Sequence, residues 1–437
     1  MSPRSRGRKP KKSGKSKRTN KRPSPAAGRA TAVDPGYSGL SIELPRSPLD
    51  DVLLRHVRPD RFGPSHRRVL TASAVLLRAG GPRALEQATA ELIGAELRHP
   101  EVQGLRFDLW AHDLIESARN RVLSDVAWNN GTWQGPWWLL HGLASIGSYG
   151  LGGYAAQQAA EAAKSLPRAV LAQQPDWLAL MPDIEATGDV HVLRDVYGTR
   201  FGVIAGFAYP GGVDPSVYLL GFDASEYLSL AAAGVFDDAD PAVAAWREQV
   251  GDSTPGAEPV TPEVLVWLSH AEHSEGLIDE REQGALLDDY FRGPRRIQDI
   301  TRKLGGRHAE PPQGDPVAVQ KAFTAWYSTR HGDVPDQDAV QALAEEWLGV
   351  MLPGTEHAVS PRRSAAFCDQ ITSWWDDEDA AGALSLLPEW LRWNGEQAGL
   401  LPDLISDAVA IAERRPRTRT NPEPSEHGPG TSALTDT

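Results

Sequence analysis

Two imidazoles three residues apart, His270 and His273, with Glu272 and Glu275 beside them, form the most metal-like grouping in the chain. On a helix that spacing sets both rings on one face, where they can chelate a transition metal ion. The same projection gathers Val264, Leu265, Trp267, Leu268 and Ala271 on an apolar face and turns the histidines toward solvent. Gly276 follows as a helix stop, and the dipole at a helix end favours imidazolium, so a solvated helix terminus is the competing reading. The added ligands a zinc site needs would have to arrive from afar, for example His112 and Glu116. No His-Glu-x-x-His and no cysteine cluster occur. No metal is therefore favoured, and no cofactor is implied.

Other motifs fail on the spacing their chemistry requires. Gly14-Lys15-Ser16 imitates the end of a phosphate-binding P-loop, but Lys9 stands where the first glycine must be. Residues 136–142, Pro-Trp-Trp-Leu-Leu-His-Gly, resemble the strand and His-Gly turn beside the oxyanion hole of α/β-hydrolases. That family also needs a nucleophile elbow, Gly-x-Ser-x-Gly, and Ser145 and Ser148 have Leu143 and Ile146 in place of its first glycine. Residues 297–305 resemble the first helix and turn of a helix-turn-helix, yet Pro311-Pro312 bars a recognition helix close behind. Asp183, Glu185, Asp195, Asp214 and Asp223 cluster around short β-like runs, where ordinary turn chemistry explains them.

Charge is divided sharply along the chain. Residues 1–33 hold twelve Lys and Arg and no acid; with a formal charge of −13 overall, the other 404 residues carry −25. Arg4, Arg6, Arg8, Lys9, Lys11, Lys12, Lys15, Lys17, Arg18, Lys21 and Arg22 are interspersed with Gly, Ser and Pro, a composition suited to following a phosphate backbone and releasing its counterions. Residues 4–22 thus point to nucleic acid, an acidic protein or another polyanion, bound without sequence readout, since no aromatic precedes Tyr37.

The elements that must position any site are mostly helical. Residues 1–36 lack the large apolar side chains needed to offset ordering entropy and read as a disordered arm. Residues 37–187 read as helical, including a helix at 106–123 with Phe107, Trp110, Leu114, Ile115, Ala118 and Val122 on one face. Pro64 and Pro82 open further helices, and Ser47-Pro48 is a helix start. Runs 189–195, 200–209 and 216–223 have β character and connections too short for crossovers, which predicts a three-stranded antiparallel meander within 188–304. Gly202, Ile204, Gly206 and Ala208 would form its smooth, helix-facing side. A linker and helix fill 305–337, a C-terminal helical subdomain 338–413, and a Pro-rich tail 414–437. The expected fold is α+β, predominantly helical.

One cysteine, Cys368, cannot close an intrachain disulfide, and no apolar h-region follows the basic start, so a cytoplasmic protein is expected. The uncharged stretch between Asp125 and Glu161 is too rich in Gly, Ser and Gln for a membrane span, and no membrane is expected. In overall organisation, an Ala/Arg/Trp-rich body behind a Lys/Arg arm with a Tyr-Gly-Thr-Arg-Phe to Gly-Phe-Asp-Ala strand region, the chain resembles an uncharacterised actinobacterial protein family. The resemblance implies neither an activity nor site residues. Three functions follow as expectations: a binding or accessory protein contacting a polyanion through its arm, a metal-dependent enzyme near His270 and His273, or an assembly subunit using the Trp-rich segment 128–154.

Overall fold

The computed structural model describes residues 62–414, apart from 104, 129–130, 252–253, 255, 274–275, 280–281, 283, 306–313 and 350–351. The basic arm, Ser47-Pro48 and the tail beyond 414 lie outside the described residues.

The first helices follow the signals in their sequence. Helix α1 (Gly63–Ala72) and helix α2 (Pro82–Leu97) each begin with a proline in the first turn. Helix α3 (Phe107–Ala127) buries Phe107, Trp110, Leu114, Ile115, Ala118 and Val122, the stripe its periodicity predicts. Each of the larger aliphatic and aromatic side chains contributes roughly 1.5–3 kcal/mol on leaving water. Helix α4 (Gln134–Ile146) is buried along nearly its whole length. It turns into α5 (Tyr149–Ala163) so tightly that a Cβ on Gly147 would lie 2.8 Å from the Gly152 nitrogen. A one-turn helix α6 (Arg168–Leu171) and a 3₁₀ segment (Asp176–Asp183) lead into the sheet.

The sheet has five antiparallel strands rather than three. They are β1 (Glu185–Arg194), β2 (Arg200–Tyr209), β3 (Val213–Asp223), β4 (Ser229–Phe236) and β5 (Glu258–Pro259), in the order β4-β3-β2-β1-β5. The predicted meander is its centre. Strand β4, Ser-Leu-Ala-Ala-Ala-Gly-Val-Phe, is made largely of residues with weak β preference and is a strand because β3 pairs with it. One face receives Trp246 from helix α7 (Ala239–Val250), whose ring atoms lie 3.1 Å from where a Cβ on Gly202 would sit. On the other face Phe201 stacks on Phe222 at 4.7 Å and meets Trp267 of helix α8 (Pro262–His273) at 4.9 Å. Helix α9 (Arg292–Lys303) lies beside them, with the Arg296 guanidinium 5.1 Å from the Phe207 ring.

Five further helices, α10 (Pro316–His331), α11 (Gln337–Gly349), α12 (Pro361–Trp374), α13 (Asp377–Gln397) and α14 (Pro402–Arg414), share a core. Phe323, Trp347, Phe367, Trp390 and the fully buried Cys368 lie at its centre. Ser360 caps α12 by accepting from the Arg363 nitrogen. At the seam with the sheet Arg362 pairs with Asp223 at 3.0 Å, and Trp267 Nε1 donates to the Pro353 carbonyl at 2.9 Å. Arg363 is buried there, donates to the Ala224 and Trp347 carbonyls and lies 4.1 Å over the Trp347 ring. It has no carboxylate partner among the described residues, and burial pushes its guanidinium down to about 9.

Among the described residues no helix is long and apolar enough to cross a membrane.

Candidate functional site

Helix α9 carries Arg-Gly-Pro-Arg-Arg-Ile-Gln-Asp along its first two turns, a composition that reads as a solvated face. The helix instead buries Arg292, Arg295, Arg296 and Asp299. Interior charge is costly unless it is paired and hydrogen-bonded, and here each group is. Arg296 donates to Glu86 of α2 at 2.6 Å and to Asp299 at 2.9 Å. Arg292 donates to Asp289 at 2.5 Å and to Gln87 at 2.8 Å. Arg295 donates to Asp299 at 2.9 Å and reaches the carbonyls of Gly147 and Pro182 at 3.2 and 3.0 Å. Three hydroxyls complete the set: Tyr209 donates to Glu86, Tyr218 to Asp289 and Tyr149 to Asp299, at 2.7, 2.6 and 2.7 Å.

Three guanidinium groups thus face three carboxylates, and the lattice is neutral. Burial works to raise the Glu86 carboxyl, but Arg296 and Arg292 outweigh it and hold it below the usual carboxylate range. Burial, then the Glu86 and Asp289 charges, push Tyr209 and Tyr218 well above the ordinary phenol value. Glu86 stays ionised and the tyrosines protonated near neutral pH, so the lattice supplies rigidity and not a proton relay.

One end of the lattice opens into a cleft of about 730 Å³. Its floor is Tyr149, Arg295 and Asp299, and its sides come from α5, the lead-in to β1 and the last turn of α9. By binding the Gly147 and Pro182 carbonyls together, Arg295 fixes the separation of two of those sides. Arg302 lies 3.6 Å over the Tyr149 ring, a cation–π contact that stations its guanidinium at the rim. Lys303, Asp183 and Glu185 complete the rim as exposed side chains. None of Arg302, Lys303, Asp183 and Glu185 has an ion-pair partner among the described residues.

The residues singled out from sequence lie elsewhere. His270 is half-buried rather than turned to solvent, its Nε2 sealed from water, on a helix that packs against α9. The side chain of His273 lies outside the described residues. His112 stacks on Tyr154 at 4.3 Å and Glu116 accepts from the same hydroxyl, so neither is turned to a metal. No group of three or more metal-capable side chains occurs among the described residues. Asp195 holds its own turn, accepting from the Thr199 and Arg200 nitrogens, Asp214 caps α2 by accepting from Arg83, and Asp223 pairs with Arg362. They serve three separate structural duties. Of the Trp-rich segment 128–154, Trp133, Trp137 and Trp138 are spent in the chain's own core, while Trp128 is 85 % exposed. The polyanion-binding residues 4–22 lie outside the described residues.

Sequence reasoning placed a helix at 297–305 but missed that α9 buries its arginines. A usable signal was present, since Asp299 stands three and four residues after Arg296 and Arg295, the spacing of intrahelical pairs. Glu86, the partner that makes burial tolerable, is 210 residues from Arg296.

Compared with known proteins, the chain matches no family, no curated protein and no solved structure. The likeness to actinobacterial proteins in overall organisation therefore gains no support from these comparisons, and the functional reading rests on the site.

Proposed function

We propose that this chain is a binding protein whose body holds a small polar ligand in the cleft between α5, the β1 lead-in and α9. The observation that carries the reading is the contrast between floor and rim. The floor is locked by the buried lattice, while four charged rim groups have no ion partner of their own among the described residues. Pre-formed concave sites with a few oriented polar groups are where small ligands bind. Binding is favoured over catalysis because the lattice holds Glu86 ionised and its phenols protonated. The test is ligand-dependent thermal stabilisation of the full chain across a panel of charged metabolites. Arg302→Ala should abolish the response without shifting the midpoint of the free protein, and a response unchanged by the substitution would sink the proposal.

A second reading concerns the arm, and the charge division along the sequence favours it. We propose that residues 4–22 recruit the protein to nucleic acid or another polyanion. Affinity should fall steeply with salt, as up to about eleven charges displace counterions. A chain starting at Asp34 should lose the interaction; equal binding by that shortened chain rules it out.

A further inference from the structure

The cleft has charges of both signs on different elements, and that division narrows what it can hold. Resting on the cleft reading above, we infer that its ligand is a zwitterion of the amino-acid type and of short-peptide size. Its carboxylate faces the end of α9 and its ammonium faces the lead-in to β1.

Asp183 ends the 3₁₀ segment and Glu185 opens β1, one on each side of the buried, extended Ile184. Both line the cleft and both are exposed. Arg302 and Lys303 line it from another element, and Tyr149 fixes the guanidinium of the first at 3.6 Å. The adjoining N-terminal end of α5 adds partial positive charge on the carboxylate's side. With the floor pair Arg295 and Asp299 included, the lining holds three cations and three anions.

That balance discriminates. A polyphosphate would set its charges beside Asp183, Glu185 and Asp299, and a polyamine would meet Arg302 and Lys303. Each would gain on one side and suffer like-charge repulsion on the other. A dipolar ligand gains on both. The volume, about 730 Å³, lies in the range that encloses drug-sized ligands, roomier than a single free amino acid needs. The wall formed by Gly152 and Gly153 leaves a smooth surface along which peptide backbone can lie.

The experiment uses the full chain and isothermal titration with Ala-Ala-Ala, its N-acetylated form, its C-amidated form, inorganic phosphate and spermidine. The unblocked tripeptide should bind at least tenfold more tightly than either blocked form. Asp183→Asn with Glu185→Gln should erase discrimination against the acetylated form and keep that against the amide. Arg302→Gln with Lys303→Gln should do the reverse. The rim side chains are exposed, so both double variants should keep the parent melting point, which checks that they fold. Equal binding of blocked and unblocked peptides, or a preference for phosphate or spermidine, overturns the zwitterion inference and leaves the cleft reading standing. Silence from every probe overturns both.

Discussion

Arg296 Nη2 and Glu86 Oε2 lie 2.6 Å apart although 210 residues of chain separate them, and the same oxygen accepts from Tyr209 at 2.7 Å. This contact binds the first helical layer to α9 through the interior. Glu86→Gln keeps the shape and removes the charge, leaving Arg296 and Arg292 short of a counter-ion. A loss of about 3–5 kcal/mol is expected, the scale for breaking a buried pair from one side. Urea denaturation measures it, and a loss under 1 kcal/mol would show that the lattice is not a stabilising unit.

The pH dependence of stability should have two steps of the same sign. Burial pushes His141 down to about 4, and burial also lowers His66. Below about 6.5 the unfolded chain takes up protons that the folded chain refuses, so stability falls as pH drops from 6.5 toward 4. For His141, partly exposed as a residue but with Nε2 sealed, the loss is up to about 3 kcal/mol. Glu86 adds a later step below its unfolded value of 4.5, since its folded carboxyl titrates lower. Denaturation midpoints at pH 7.5, 5.5, 4.5 and 3.5 follow the profile, and His141→Phe should flatten its upper part alone.

Gly94 and Gly150 should respond oppositely to alanine. A Cβ on Gly94 would lie 2.7 Å from Asp288 Cα and from its backbone nitrogen, atoms that cannot rotate away. Gly94→Ala should cost about 3 kcal/mol. Gly150, in the first turn of α5, faces open space, and Gly150→Ala should stabilise by about 0.5–1 kcal/mol. Thermal melts that fail to separate the two would argue against the packing of α2 on the 285–289 turn.

Arg363 is a buried cation whose partners are two carbonyls and a tryptophan face. Because its folded value falls to about 9, its penalty is fully present at neutral pH and is relieved as pH rises above that point. Arg363→Met keeps the contact with Trp347 and removes the charge, so stability should hold or rise by about 1 kcal/mol. A fall beyond 2 kcal/mol in calorimetry would instead assign the carbonyl contacts the larger share.

What could be read in advance followed local pattern. The apolar stripe of α3, the proline starts of α1 and α2 and the span of β2 all lie in runs whose own residues set the period. Strand β4 escaped because alanines signal helix unless a neighbour supplies the pairing, and β5 is two residues defined by β1 alone. The site escaped for another reason. Charge normally marks the outside of a helix, and nothing within reach of α9 announces Glu86, Tyr209 or the cleft walls. His270 misled in the opposite direction, since a projection of α8 alone omits α9 packed against it.

The position of Cys368 makes the chain its own clock. The sulfur sits at zero exposure in the core shared by α10 to α14, and there is no other thiol in the sequence. A colourless disulfide reagent added to the native protein can therefore react only when that bundle opens. The rate at which colour appears counts those openings directly, without a background from the sheet or from the lattice beneath the cleft.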